Sequence, residues 1–382
     1  MEVVSDLSQK KREKTKTKPK RYYDYTLLII VLTLVGFGLM MVASASSYYA
    51  ISRGLPANTF LKSQAIKAVI GIAGMIFISK FNYNILKSSI FKGKISIANL
   101  FFGFCFALQI AVLIVGRSAN GSSRWLEIPI IGSFQPSELS KLCLIILVAK
   151  AISEKAKRLE RFMGFLAIII VAGPLIAVVA MENLSTAIIM AGITFIICFV
   201  ASSKWLYFLV TILMLIPAGV IAIMTQPYRL QRIKVWLEDG SGYQISQGLY
   251  AISSGGWLGV GLGNSSQKRW VPEVHTDMIF TIICEELGVV GVLILFLIYI
   301  LLILRIAKIA INAADLFGSL ICVGVLCHVA LQVVLNVAVT TSIMPATGVI
   351  LPFISFGGTS LIVLLAEMGL VLSVSNRIEY EQ

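Results

Sequence analysis

Apolar residues fall in long unbroken runs, not in the alternations of a soluble helix or strand. A hydrocarbon core ~30 Å thick is crossed by about 20 residues of helix. Ten runs approach that length: 26–45, 65–79, 95–115, 137–152, 163–181, 184–201, 205–225, 278–304, 317–341 and 352–375. The second and fourth are short, and only Glu182 and Asn183 separate the fifth from the sixth. The pattern predicts an all-α polytopic membrane protein with about ten transmembrane helices. Residues 1–24 are polar and aperiodic and predict a disordered basic cytoplasmic tail. Residues 25–376 form one ten-span membrane domain, and 377–382 a cytoplasmic C-terminus. Ala43-Ser44-Ala45 resembles a signal-peptidase site. The run before it is longer than the ~7–15 residues of a signal peptide, so it is read as a retained span.

The connection 226–277, between the seventh and eighth helices, is long and not ordinary linker. Tyr228, Leu230, Ile233, Trp236 and Leu237 recur near helical spacing, with Arg229, Arg232 and Lys234 among them. That predicts a short helix lying on the membrane surface, and residues 243–254 predict another. A long, partly apolar loop is where a membrane enzyme places its chemistry.

Composition agrees with the pattern. Of the 382 residues 58% are apolar and 13% charged, against ~25% charged in a soluble protein, which excludes a water-soluble pair of domains. The net charge of +13 raises nucleic acid as a partner, but its distribution argues against one. Eight of the 32 Lys and Arg lie in the first 21 residues, and most others sit between apolar runs, as topology-setting charge beside anionic lipid does. With the N-terminus inside, inner segments carry 21 Lys and Arg and outer segments 10. Both termini are therefore expected in the cytoplasm and the loop 226–277 outside. The six cysteines all fall inside apolar runs, with neither a disulfide framework nor metal spacing. His275 and His328 are the only histidines.

Several groupings can carry chemistry. Gly255 to Gly263 holds five glycines but lacks the Gly-Lys-Ser/Thr of a nucleotide loop. It reads as tightly packed backbone beside the membrane, or as close backbone approach to a lipid headgroup. Arg124 and Trp125 are either interface anchors or, for Arg124, a planar donor fork for a diphosphate. Glu138 and Lys141, at i and i+3 in the fourth span, pair on one face, either to fix packing or to serve function. His328, Gln332 and Asn336 make a polar stripe on the ninth span. They serve interhelical hydrogen bonding, or, with an acidic partner such as Glu367, a proton path. Asp277, at the start of the eighth span, caps that helix or is a general base or cation ligand, with Lys268 and Arg269 upstream.

In order along the chain, NGSSRW (120–125), QPSELSK (135–141), ENLSTA (182–187), GSGYQISQ (240–247), SGGWLGVGLGNSSQK (254–268), PEVHTD (272–277), EELG (285–288) and PATGVILPFISFGGTS (345–360) resemble the SEDS proteins. These are the shape, elongation, division and sporulation proteins RodA, FtsW and SpoVE. The resemblance implies a ten-span peptidoglycan glycosyltransferase that polymerises lipid II outside the membrane with a class B penicillin-binding protein as transpeptidase partner. It makes Asp277 the catalytic acidic residue, Arg124 and Trp125 the extracellular pair, and Glu138 and Lys141 the fourth-span pair. Lys268, Glu273 and His275 join them as candidate substrate-binding residues. Met278 where an aromatic is usual, Phe356 and Thr359 within SFGGTS, and Ser342 depart mildly from the family pattern. The basic tail and the GNSSQK segment lean toward the division and sporulation branch.

The expected reaction is β-1,4 glycosyl transfer at the outer face of the bacterial cytoplasmic membrane. The hydroxyl of one lipid II attacks the anomeric carbon of the undecaprenyl-diphosphate-linked glycan, and undecaprenyl diphosphate leaves. It needs a base for the hydroxyl and positive charge for the diphosphate. No resident cofactor is expected beyond a divalent cation, Mg or Mn, with Asp277 as its candidate ligand. Two alternatives stay open: a lipid II flippase, which needs a polar path through the whole bilayer, and a non-catalytic scaffold of the division machinery.

Overall fold

The computed structural model describes residues 23–90, 95–119, 122–128, 132–202, 204–238 and 242–378. Among them are ten helices of 18 residues or more: α1 (Tyr25–Ser52), α2 (Thr59–Lys80), α3 (Ile97–Val115), α4 (Pro136–Glu154), α5 (Phe162–Glu182), α6 (Leu184–Ala201), α7 (Trp205–Met224), α10 (Ile279–Ile311), α11 (Leu316–Thr340) and α12 (Gly358–Ser375). Eight of these, all but α4 and α7, are long and apolar enough to cross a membrane by length and composition. The protein is a multi-pass, mostly helical membrane protein. Two shorter helices, α8 (Pro227–Glu238) and α9 (Tyr243–Ser254), lie between α7 and α10, where the spacing of apolar residues predicts them.

The helix ends follow local chemistry. Asp24 accepts from the Leu27 amide at 2.9 Å to start α1. Asn183 ends α5 and, accepting from the Thr186 amide at 3.2 Å, starts α6, so one residue suffices for the tight turn. Small residues set the closest packing: a Cβ on Gly369 of α12 would lie 2.8 Å from the Met75 carbonyl of α2. α4, α11 and α12 form the centre, and lipid-facing side chains lie on the outer helices.

Several expectations change. Asp24, assigned to the disordered tail, is 1% exposed and ion-paired with Arg305 at 2.7 Å, so order begins before the first apolar run. The tail over 1–22 and the end 379–382 lie outside the described residues. The second span starts earlier, at Thr59, because Lys62, Gln64 and Lys67 are helical but polar. The tenth begins later. Residues 352–357 form a turn with Phe353 at φ 64° and Ser355 Oγ accepting from the Leu351 amide at 2.8 Å. α10 runs to Ile311 but is broken at Gly288 (φ 62°, ψ −167°), a backbone region open only to glycine. Short antiparallel ribbons join the helices: β1 (Ser89–Ile90) with β2 (Ile95–Ser96), and β4 (Ser122–Ile128) between β3 (Arg117–Ala119) and β5 (Gly132–Phe134). Three- and seven-residue strands leave too little alternation to be read from sequence.

Candidate functional site

A cavity of about 410 Å³ opens where α2, β4, α8 and α9 meet the loops that precede α10 and α12. Its walls carry Lys67, Arg124, Arg232, Glu273, His275, Asp277 and Trp125, with Thr359 and Ser360 at the start of α12. Five of the eight residues singled out by sequence are thus brought together: Asp277, Arg124, Trp125, Glu273 and His275.

Each wall is fixed by identifiable contacts. Arg124 sits on the central strand of its ribbon, and its Nε donates to the Glu182 carbonyl at 3.2 Å, capping the end of α5. The same guanidinium hydrogen-bonds the Tyr228 hydroxyl of α8 and reaches the cavity wall beside Gly348. Arg232 Nη1 donates to the Ala346 carbonyl and Trp236 Nε1 to the Ser342 carbonyl, both at 2.9 Å. These bonds dock α8 over the loop before α12. Lys67 lies 5.4 Å from the centre of the Phe356 ring. Gly358 makes room for it: a Cβ there would come within 2.5 Å of the lysine chain.

Asp277 does not cap α10. Met278 holds the cap position without a side-chain bond, and Thr276 Oγ1 is 3.2 Å from Asp277 Oδ1. The aspartate is half-buried, exposed only toward the cavity, and walled by protein elsewhere. This desolvation, with the neighbouring charge of Glu273, pushes its pKa up to about 7. The positive end of the α10 dipole favours the ionised form, but burial is the larger effect. Glu273 adopts φ 51° and is exposed. His275 is 4% exposed, boxed by Tyr49, Phe60 and Phe356 at ring distances of 4.8, 4.7 and 5.5 Å. Burial lowers its pKa, so its ring is neutral, and its carbonyl accepts from the Phe356 amide at 2.8 Å.

The other three candidates lie elsewhere. Glu138 and Lys141 pair at 2.9 Å with side chains 6% and 1% exposed, below Ser360, and do not line the cavity. Lys268 Nζ donates to the Gly263 carbonyl at 2.6 Å, away from the cavity. Sequence reasoning missed Lys67, which it counted as a loop charge, and used Arg232 only as part of an amphipathic helix. Gln64 and Lys67 stand at i and i+3, the signal that both share a helix face; Gln64 Nε2 donates to the Ser355 carbonyl at 3.2 Å. Deeper still, His328 Nδ1 and Glu367 Oε2 meet at 2.8 Å, fully buried, which gives the polar stripe its acidic partner. Among the described residues no group of three or more His, Cys, Asp or Glu is placed to hold a metal.

The molecule is thus a helical membrane protein with a cavity lined by two carboxylates, Glu273 and Asp277, and three cations, Lys67, Arg124 and Arg232. The comparisons give the family. Residues 25–380 match the FtsW, RodA and SpoVE family of cell cycle proteins, and the chain belongs to it. It is 38% identical over 353 residues to stage V sporulation protein E of Bacillus subtilis (strain 168), covering 90% of this chain and 94% of that one. It is 35% identical over 350 residues to a probable peptidoglycan glycosyltransferase FtsW of Geobacter sp. (strain M18), covering 89% and 93%. Among solved structures it resembles a chain of a peptidoglycan synthase complex that coordinates polymerization and crosslinking (TM-score 0.77, 27% identity, 94% and 99% covered). It also resembles the Rod shape determining protein RodA of Thermus thermophilus (TM-score 0.68, 27% identity, 94% and 98% covered).

Proposed function

We infer that this protein is a peptidoglycan glycosyltransferase that polymerises lipid II in cell-wall synthesis. The observation that carries the reading is the cavity, which sets Asp277 among Lys67, Arg124 and Arg232 at the mouth of α10. Family membership supplies the substrate class; the cavity supplies the groups the reaction needs. The acceptor hydroxyl gives its proton to the Asp277 carboxylate as its oxygen attacks the anomeric carbon. The three cations stabilise the negative charge gathering on the departing diphosphate, Arg124 and Arg232 with planar donors and Lys67 as a point charge. Burial tunes Asp277 to accept a proton near neutral pH and release it afterwards. Asp277 and Glu273 alone supply too few ligands for a resident divalent cation, so Mg or Mn would be held jointly by these carboxylates and the diphosphate oxygens.

The ten long helices are ten spans in this reading, α4 among them despite its buried charges, because it is enclosed by other helices. The excess of Lys and Arg on the other face supports cytoplasmic termini and a cavity outside, where lipid-linked glycan is built. The flippase alternative is weaker, because Glu138 and Lys141 are paired and buried below the cavity floor. A class B penicillin-binding protein is the proposed partner. Purified protein incubated with labelled lipid II, with and without such a partner, tests the reading. Glycan strands are the expected product; lipid II moved across vesicles without polymer supports the flippase, and neither outcome supports the scaffold.

A further inference from the structure

The glycine-rich stretch 255–263 takes no part in the chemistry above, and it completes the broken helix α10. The break at Gly288 would leave main-chain groups unpaired, which costs about 1–3 kcal/mol for each group buried from water. The stretch supplies the partners. The amides of Val260 and Gly261 donate to the carbonyls of Glu285 and Glu286 at 2.9 and 3.0 Å. The amides of Val289 and Val290 donate to the carbonyls of Gly256 and Trp257, each at 3.1 Å. The glycines permit this contact: a Cβ would stand 2.0 Å from the Cys284 carbonyl at Gly255 and 2.2 Å from the Glu286 carbonyl at Gly259.

Contacts between α1 and α10 give the depth of this splice. Asp24 and Arg305, each just outside the apolar runs 26–45 and 278–304, meet at 2.7 Å, and Ser44 Oγ donates to Glu286 Oε1 at 2.5 Å. The path between the two contacts is about 30 Å along the unbroken α1, at 1.5 Å per residue. That matches a hydrocarbon core ~30 Å thick. The splice therefore sits at the boundary between acyl chains and headgroups on the cavity side. At that level Trp257 is 75% and Leu258 79% exposed. Their surface continues into the exposed apolar face of α10 at Val290 and Leu293. Tryptophan is enriched at this depth in membrane proteins.

We propose that residues 255–262 form a hairpin inserted into the membrane boundary, with Trp257 and Leu258 seated among the lipids of the cavity-side leaflet. Part of the connection between α7 and α10 is then a lipid-binding element and not an aqueous loop. The inference rests on the depth arithmetic and stands whether or not the protein transfers sugars.

Site-directed spin labelling of the full chain in phosphatidylcholine nanodiscs tests it. The six native cysteines are buried, so the nitroxide goes to an introduced thiol, with unsubstituted protein as control. Labels at W257C and L258C are compared with L293C on the exposed face of α10 and N58C on the exposed α1–α2 turn. The expected result is collision with oxygen over a nickel chelate at 257 and 258, as at 293, and the reverse at 58. Preferred collision with the nickel chelate at 257 and 258 overturns the proposal by placing the hairpin in water. Protection from both reagents overturns it by showing that protein covers the surface. Both positions are exposed, so neither substitution removes packing that folding requires.

Discussion

Asn336 holds the main chain of Asp277. Its buried side-chain amide donates to the Asp277 carbonyl and to the Val349 carbonyl, each at 2.8 Å. One residue of α11 thereby ties the start of α10 to the loop that lines the cavity before α12. Asn336→Leu keeps the volume and removes both donors, leaving two carbonyls that cost about 1–3 kcal/mol each when buried unpaired. A displaced carboxylate loses ~100-fold for a shift of about 1 Å. Lipid II polymerisation by Asn336→Leu is expected to fall at least ~10-fold while the purified protein stays monodisperse. A wild-type rate would show that the helix start alone positions Asp277.

The pKa of about 7 at Asp277 sets the pH profile. The base form is the ionised one, so the rate should rise about tenfold per pH unit below 7 and level off above it. Asp277→Asn should lose ~100-fold or more in rate. Its effect on stability has the opposite sign. The folded pKa lies above the unfolded ~3.9, so ionisation destabilises the fold, beginning above that value and complete above about 7. Asp277→Asn should therefore melt higher than wild type at alkaline pH, with the difference closing near pH 4. An equal or lower melting temperature in alkali would show that burial does not oppose the charge.

The three cavity cations should differ from Lys268. Arg124→Ala, Lys67→Ala and Arg232→Ala should each lower kcat/KM for lipid II about tenfold or more, about 1.4 kcal/mol. Arg124→Lys keeps charge without the planar fork and should recover only part of the loss. Lys268→Ala removes a bond to the Gly263 carbonyl and should leave kcat/KM near wild type. The reverse order would move the diphosphate out of the cavity.

Two glycines with positive φ separate backbone strain from packing. Gly263 (φ 81°) has open space around it, and Ala there should cost only the conformational penalty, about 1 kcal/mol. Gly259 (φ 77°) abuts the Glu286 carbonyl, so Gly259→Ala must also break the splice with α10. Thermal unfolding should rank wild type, Gly263→Ala and Gly259→Ala in falling order, with the larger step at the last. Equal steps would mean that the splice adds no stability.

The proposed orientation is checked with thiols at two exposed turns. Asn58→Cys, between α1 and α2, should react with an impermeant maleimide in intact cells, and Asn312→Cys, between α10 and α11, only after permeabilisation. The opposite pattern would place the cavity in the cytoplasm.

Most of the fold was legible because membrane solvation writes long apolar runs that no tertiary contact needs to explain. The runs fail where polar residues turn inward. Lys62, Gln64 and Lys67 hid the first turns of α2: Lys67 lines the cavity, Gln64 bonds the main chain at Ser355 and Lys62 is exposed. The site was legible where family motifs cluster, at Arg124, Trp125 and 272–277. Lys67 and Arg232 reach the same cavity from elements distant in sequence, and no local pattern marks that meeting. Glu285 and Glu286 hold Ser266 and Ser44 through contacts made only in three dimensions.

The four cross-bonds at Gly288 have a mechanical consequence. A lone glycine interruption bends freely, like a pin joint, and would dissipate any tilt imposed on the lower part of the rod. Here flexing requires rupture of bonds on both sides of the gap, so the joint is stiff. The two segments of α10 are thereby held at one angle, and the start of the helix beside Asp277 keeps its register with the length beyond Gly288.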